Sequence, residues 1–124
     1  MHFDTRADFF REAFRVLRPG GRLVVADCIT RRAAGAIPAG NVLSGIPAYL
    51  GLLLRAGFRS VRLDEVTGQT WLPYIAHTEA WIEAERAAGR LDAAAADIQL
   101  AVIRSMRGPV WGPYVLADAV TPGG

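Results

Sequence analysis

A chain of 124 residues and 13.4 kDa, 52% hydrophobic, is expected to bury about two-thirds of its surface in one domain, with about 6,500 Å² exposed folded against about 19,000 Å² unfolded, and has no material for a second. All 14 basic residues are Arg, Cys28 is the single cysteine, His2 and His77 form no HExxH pair, and Ser44, Ser60 and Ser105 lie in no GxSxG elbow; a phosphate-loop or Schiff-base lysine, an internal disulfide, a Cys-rich zinc cluster and a serine-hydrolase nucleophile are thereby excluded. A net charge of +2 with arginines scattered among acids gives no basic stripe for nucleic acid.

The N-terminus carries Asp4, Arg6 and Asp8 where a signal peptide needs an apolar run, so a cytoplasmic location is expected. Apolar residues at Phe9, Phe10, Ala13, Phe14 and Leu17 place one stripe on a helix over Thr5–Leu17, and Thr5 with Asp8 forms a capping-box pattern. Arg18-Pro19-Gly20-Gly21 predicts a type II turn. Arg22–Ile29, with the unalternated run Leu-Val-Val-Ala, predicts a strand covered on both faces. The uncharged stretch from Ala33 to Leu54 contains Pro38, Gly40, Asn41 and Pro47, so it reads as a loop and a buried helix rather than a membrane span. That helix runs over Ile46–Ala56 with Ser44 as N-cap, apolar Ile46, Leu50, Leu53 and Leu54, and Gly57 as its stop.

Ser60–Val66 predicts a second strand, and strand, helix and strand in that order predict parallel strands joined by a right-handed crossover. Trp71–Ala87 repeats Trp71, Tyr74, Ile75, Thr78, Trp81 and Ile82 at helical spacing. Leu91–Met106 predicts another helix, lined by Ile98, Ala101 and Val102, and Tyr114–Val120 a last strand. With no other strands available, one edge of Leu23–Ala26 is left unpaired, which soluble proteins normally avoid.

Met1-His2-Phe3 followed by a helix, then Arg15-Val16-Leu17-Arg18-Pro19-Gly20-Gly21-Arg22-Leu23-Val24-Val25-Ala26-Asp27, resembles the second half of a class I S-adenosylmethionine-dependent methyltransferase. Leu54-Arg55-Ala56-Gly57-Phe58 is similar to the family's segment before its sixth strand, and Gly112-Pro113-Tyr114-Val115-Leu116-Ala117 to its seventh, which runs antiparallel between the fifth and sixth. The resemblance implies an α/β fold: the C-terminal strands of a mostly parallel Rossmann-like sheet with an antiparallel last strand. Residues 1–124 would be the C-terminal part of the domain and 71–107 a helical insertion that caps a small-molecule substrate. It implies S-adenosylmethionine as cofactor, although no GxGxG follows a strand and Gly20-Gly21 precedes one, so the isolated chain is expected to be a truncated domain, inactive alone. The missing edge would be filled by an N-terminal half or by a second copy in a homodimer.

Open α/β sheets bind ligands at the carboxyl ends of their strands, and His2 and Asp27 both fall at that rim. The resemblance implies acid/base roles for them near a hydroxyl to be methylated; read from the residues alone, His2 is equally a frayed terminus and Asp27 a strand-end acid capping loop amides. Trp71 and Tyr74 either line a substrate pocket or are ordinary core. Arg31-Arg32 is an anion grip or a solvated pair, Cys28 a buried small residue, and His77 a helix-surface residue. The leading functional reading is transfer of a methyl group to oxygen on a small molecule. The alternative is a non-catalytic methyltransferase-like binding or assembly module.

Overall fold

A computed structural model describes residues 4–35 and 37–123. Helix α1 (Arg6–Val16) opens on Thr5, whose hydroxyl oxygen accepts the Asp8 amide at 3.2 Å and whose hydroxyl donates to Asp8 Oδ2 at 2.6 Å. The predicted stripe is the packing face: Phe10 is fully buried, with Phe9, Ala13, Phe14 and Leu17 against the same cluster. Gly20 has φ +72° and the Gly21 amide donates to Arg18 O at 2.8 Å, as a type II turn requires.

Strand β1 (Arg22–Thr30) follows, then helix α2 (Ile46–Ala56), strand β2 (Arg59–Glu65), a wide π-type turn (Thr67–Trp71), helices α3 (Leu72–Ala87) and α4 (Ala93–Ser105), and strand β3 (Trp111–Val120). The sheet order is β1-β3-β2, and both ladders are antiparallel. Because each opposes β3, β1 and β2 run in the same direction with their carboxyl ends at one rim. The expected antiparallel last strand between the other two is therefore present. The expected mostly parallel sheet is not: among the described residues no two named strands pair in parallel.

Helices α1 and α2 cover one face of the sheet. Ile29, Val115, Ala117 and Ala119 meet Phe10, Tyr49, Leu53 and Phe58 in a single cluster that Leu23, Val25 and Leu63 border. Alternation puts Val24, Ala26, Leu116 and Asp118 on the other face, and no helix covers them: Val24 is 66% exposed and Leu116 41%. The expectation that β1 is covered on both faces thus holds only from Cys28 to Thr30. Helices α3 and α4 instead pack on each other through Ile82, Ala96, Leu100 and Leu91. The total accessible surface, 7545 Å², exceeds by about 1,000 Å² what a compact monomer of this mass shows, as one bare sheet face and a helical hairpin packed on itself require.

Three helix readings are corrected. Gly45, not Ser44, is the N-cap of α2, without a side-chain bond. The buried face of α2 is Tyr49 and Leu53, while Leu54 is 45% exposed. In α4 the buried face is Ala96, Leu100 and Ile103, and the expected lining residues Ile98 and Val102 are exposed, because in an Ala-rich helix several stripes are similarly apolar and only contact with α3 selects one.

Gly57 ends α2 at φ +111°, and a Cβ there would lie 2.7 Å from Phe14 Cζ, a ring that packs edge-on against Phe58 at 5.3 Å between centroids. Gly57→Ala is expected to lower the unfolding free energy by about 2–3 kcal/mol, through left-handed strain and overpacking together, with the loss read from the urea midpoint.

Candidate functional site

The carboxyl end of β1 meets the amino end of α1 through one guanidinium. Arg6 Nε donates to Asp27 Oδ2 at 2.6 Å, and Nη2 to Cys28 O at 2.6 Å and to Asp27 Oδ1 and Thr30 Oγ1 at 3.3 Å each. Nη1 donates to Asn41 O at 2.7 Å. Asn41 returns the contact, its Oδ1 accepting the Arg6 amide at 2.7 Å. Tyr49, projecting from α2 beneath this pair, donates its hydroxyl to Asp27 Oδ2 at 3.3 Å. Burial first, and then the neighbouring Asp27 charge, push the Tyr49 phenol far above its ordinary value. The same two causes raise the Cys28 thiol, so Cys28 remains an inert, buried thiol.

On the opposite face of the sheet, at the same rim, β3 begins with Trp111 and Tyr114, whose register partners are Thr30 and Cys28. The π-type turn folds Trp71 over them. Trp71 stacks on Tyr114 (centroids 5.5 Å, planes 17° apart) and on Tyr74 (6.1 Å, 27°), and tilts against Trp111 at 6.2 Å. Its indole N–H donates to Met106 O at 3.4 Å. The turn itself is fixed by Thr67, whose hydroxyl oxygen accepts the Tyr114 amide at 2.9 Å, and by Thr70, whose hydroxyl donates to Val66 O at 2.6 Å. Thr70, Trp71, Tyr74 and Tyr114 line a cleft of about 270 Å³. A second cleft, about 240 Å³, lies between α1 and α2 at Ala7, Arg11, Leu52, Arg55 and Ala56.

Of the residues singled out in the sequence, Trp71 and Tyr74 come together at one cleft. Asp27 does not line it; it lies on the helix-covered face, paired with Arg6. His2 lies outside the described residues. His77 is exposed on α3, and Arg31 and Arg32 are exposed in the loop after β1. Arg6, Tyr49 and Asn41 escaped sequence reasoning. The available signal was the charged Arg6 at the start of a helix whose partner strand ends in an acid, but its distance of 21 residues from Asp27 hides the pair. No group of three or more metal-ligating side chains forms among the described residues, and no helix there is long and apolar enough to cross a membrane.

No family model matches the chain. It is 33% identical to erythromycin 3''-O-methyltransferase of Saccharopolyspora erythraea, over 60% of this chain and 31% of that enzyme. Among solved structures it resembles phosphoethanolamine N-methyltransferase 2 of Haemonchus contortus in complex with phosphomonomethylethanolamine and S-adenosylhomocysteine, with TM-score 0.72, 14% identity, and coverage of 94% of this chain and 30% of that one. The same enzyme has been solved with S-adenosyl-L-methionine. The chain also resembles the cyclase SpnF, at TM-score 0.59 and 25% identity over 95% of this chain and 44% of that one. The chain is thus similar in sequence to part of an O-methyltransferase and in fold to part of a methyltransferase solved with S-adenosylmethionine or S-adenosylhomocysteine. It spans about a third of the length of the curated relative. In this methyltransferase-like chain β1 runs into Arg31–Gly35 and β2 into the Thr67–Trp71 turn, neither of which is a glycine-rich loop of the GxGxG type. The described residues by themselves therefore supply no glycine-rich loop for the cofactor to lie against.

Two outcomes are expected of the Arg6 cluster. Arg6→Ala removes the cation from Asp27, leaving it only the Tyr49 hydroxyl, and the Arg6 donors from Asn41 O and Cys28 O in a part-buried setting, and lowers stability by about 2–3 kcal/mol; Arg11→Ala, whose Asp8 partner is solvent-exposed, leaves the urea midpoint unchanged. Tyr49 keeps its proton in the folded state when the unfolded chain releases it near 10.0. Above that pH the unfolded state binds fewer protons, so stability falls as pH rises. Tyr49→Phe is expected to flatten that alkaline slope in pH-dependent denaturation.

Proposed function

We propose that this chain is the substrate-side, C-terminal portion of an S-adenosylmethionine-dependent methyltransferase acting on oxygen of a small molecule in the cytoplasm. The sheet order carries the reading: an antiparallel last strand between two strands of common direction, combined with an outer edge of β1 that among the described residues is met only at Thr30, by Val42 and Leu43, and an uncovered face at Val24 and Leu116. The match to erythromycin 3''-O-methyltransferase supports oxygen as the acceptor. In this reading Trp71 and Tyr74 hold the substrate. Asp27 orients an imidazole or a substrate hydroxyl at the rim, and His2 is the acid/base group near that hydroxyl.

The cofactor's glycine-rich loop then comes from outside these residues, on an N-terminal half whose strand pairs with the free edge of β1. Parallel addition there satisfies the backbone groups of Leu23–Ala26 and brings cover to the open face. A second copy pairing edge to edge is the other way to fill the same ladder.

Calorimetry with S-adenosylmethionine tests this. The expected result is no binding heat for the chain alone, and binding with methyl transfer to a hydroxyl acceptor once a methyltransferase N-terminal half bearing the glycine-rich loop is added. Absence of binding in both cases, with the two polypeptides shown to associate, overturns the catalytic reading in favour of a non-catalytic module.

A further inference from the structure

The aromatic cleft has a chemistry more specific than a substrate pocket in general. Among the described residues its lining, Thr70, Trp71, Tyr74 and Tyr114, carries no charge. Three of their rings lie in nearly parallel planes, with Trp71 between the two tyrosines. Two of the polar groups at the cleft are already committed: the Thr70 hydroxyl to Val66 O and the Trp71 indole N–H to Met106 O. The hydroxyls of Tyr74 and Tyr114 have no hydrogen-bond partner among the described residues, so each has both a donor and an acceptor to offer a ligand.

We propose that the cleft receives one uncharged, hydroxyl-bearing ring of the substrate, an inference that rests on the methyltransferase reading and gives its substrate class. With Trp71 covered by both tyrosines, the ring edges and the exposed side of Tyr74 form the aromatic lining, which favours a ring over a chain because a ring meets it by edge or face contact. The volume of about 270 Å³ lies just below the range of about 300–1,000 Å³ typical of pockets that enclose a whole drug-sized ligand, so a single ring enters and the remainder of the molecule extends over the open sheet face beside Leu116. A phosphorylated ligand, such as the phosphobase held by the Haemonchus enzyme, is disfavoured, because none of the described lining residues brings a cation to meet a desolvated phosphate. A quaternary ammonium finds aromatic faces but no carboxylate in the lining, and Trp71, the strongest cation–π surface, is stacked with both tyrosines.

The test uses the full chain without cofactor and follows its three tryptophan indole N–H resonances by NMR. Phenol and methyl β-glucoside present the two forms of a hydroxyl-bearing ring, aromatic and saturated; phosphocholine and tetramethylammonium are the charged probes. The expected result is saturable movement of the Trp71 resonance with at least one ring probe, at a dissociation constant on the order of 1–10 mM, while Trp81, further along on α3 and not among the residues lining the cleft, stays still. The probe that moves it distinguishes an aryl from a sugar ring. Tyr74→Ala, at a position already 52% exposed, is expected to weaken binding by about fivefold with unchanged circular dichroism, and Trp81→Ala to leave it unaltered. Failure of both ring probes to move Trp71, tighter binding of either charged probe, or equal effects of the two substitutions overturns the proposal. Since cofactor is absent throughout, a failure here beside intact S-adenosylmethionine binding by the assembled halves removes only the substrate class. A success here beside failed cofactor binding removes only the methyltransferase reading.

Discussion

The architecture depends on its last strand. β1 and β2 do not touch; each is held by β3, so Arg22 and Arg59 both find their register partner in Val120. The pairing of Arg22 with Val120 closes a loop of about 100 residues, whose length-dependent entropic cost is about 4 kcal/mol. It is offset by sinking Val115, Ala117 and Ala119 into the core beneath α1 and α2. A single antiparallel strand between two others makes those two share a direction. Their carboxyl ends, and with them Asp27 and the Trp71 cluster, then fall on one rim. Formation of the site is thus tied to strongly non-local contacts, the kind that folding makes slowly.

The second constraint is the inequality of the two faces. Alternation along β1 and β3 sends Leu23, Val25, Val115 and Ala117 under the helices and Val24, Ala26 and Leu116 to the other side, where α3 and α4 do not reach them. Those helices satisfy their own apolar surface through Ile82, Ala96 and Leu100, and ion pairs stitch their flanks, Arg104 and Arg107 to Glu79 and Arg86 to Asp97. At this exposure such pairs fix geometry more than they stabilise. The result is a hairpin tied to the sheet chiefly through Trp71, Thr67 and their contacts with β3, which explains why the aromatic cluster and the cleft occur at that junction.

What could be read in advance follows from the range of the interactions. Thr5, Gly20 and Gly57 were legible because one residue's hydroxyl or one positive dihedral determines each feature, and the stripe Phe9, Phe10, Ala13, Phe14 and Leu17 because five charged neighbours, Arg6, Asp8, Arg11, Glu12 and Arg15, leave only one apolar face. The buried face of α4 was not, since Ala96, Leu100 and Ile103 differ from Ile98, Ala101 and Val102 only in which side meets α3. Composition marked Leu23–Ala26 as an interior strand, but composition records suitability for cover and not its presence, and Val24 remains exposed. At the candidate site the aromatic spacing of Trp71 and Tyr74 was visible, whereas nothing in the pattern singled out Arg6, one of several charges on its helix, or Tyr49. Their meaning lies in the fold bringing both onto Asp27.

Asp27 and the cleft stand at the same rim on opposite faces of the sheet, and this separation limits how one ligand can use both. β1 continues three residues beyond Asp27 to Thr30, about 10 Å of strand, so a ligand ring held at Trp71 reaches Asp27 only by passing over the strand end. There the carboxylate presents unequal oxygens: Oδ2 is taken by Arg6 at 2.6 Å and by the Tyr49 hydroxyl, while Oδ1 has only the longer 3.3 Å bond from Arg6. Oδ1 is therefore the atom with acceptor capacity to spare. A rigid guanidinium fork anchored on Cys28 O and Asn41 O leaves the carboxylate little freedom to turn. The geometry suits a fixed acceptor that aligns a donor arriving from above the rim, and it makes Arg6, through which α1, β1 and the Ala39–Asn41 turn are joined, the residue on which that alignment rests.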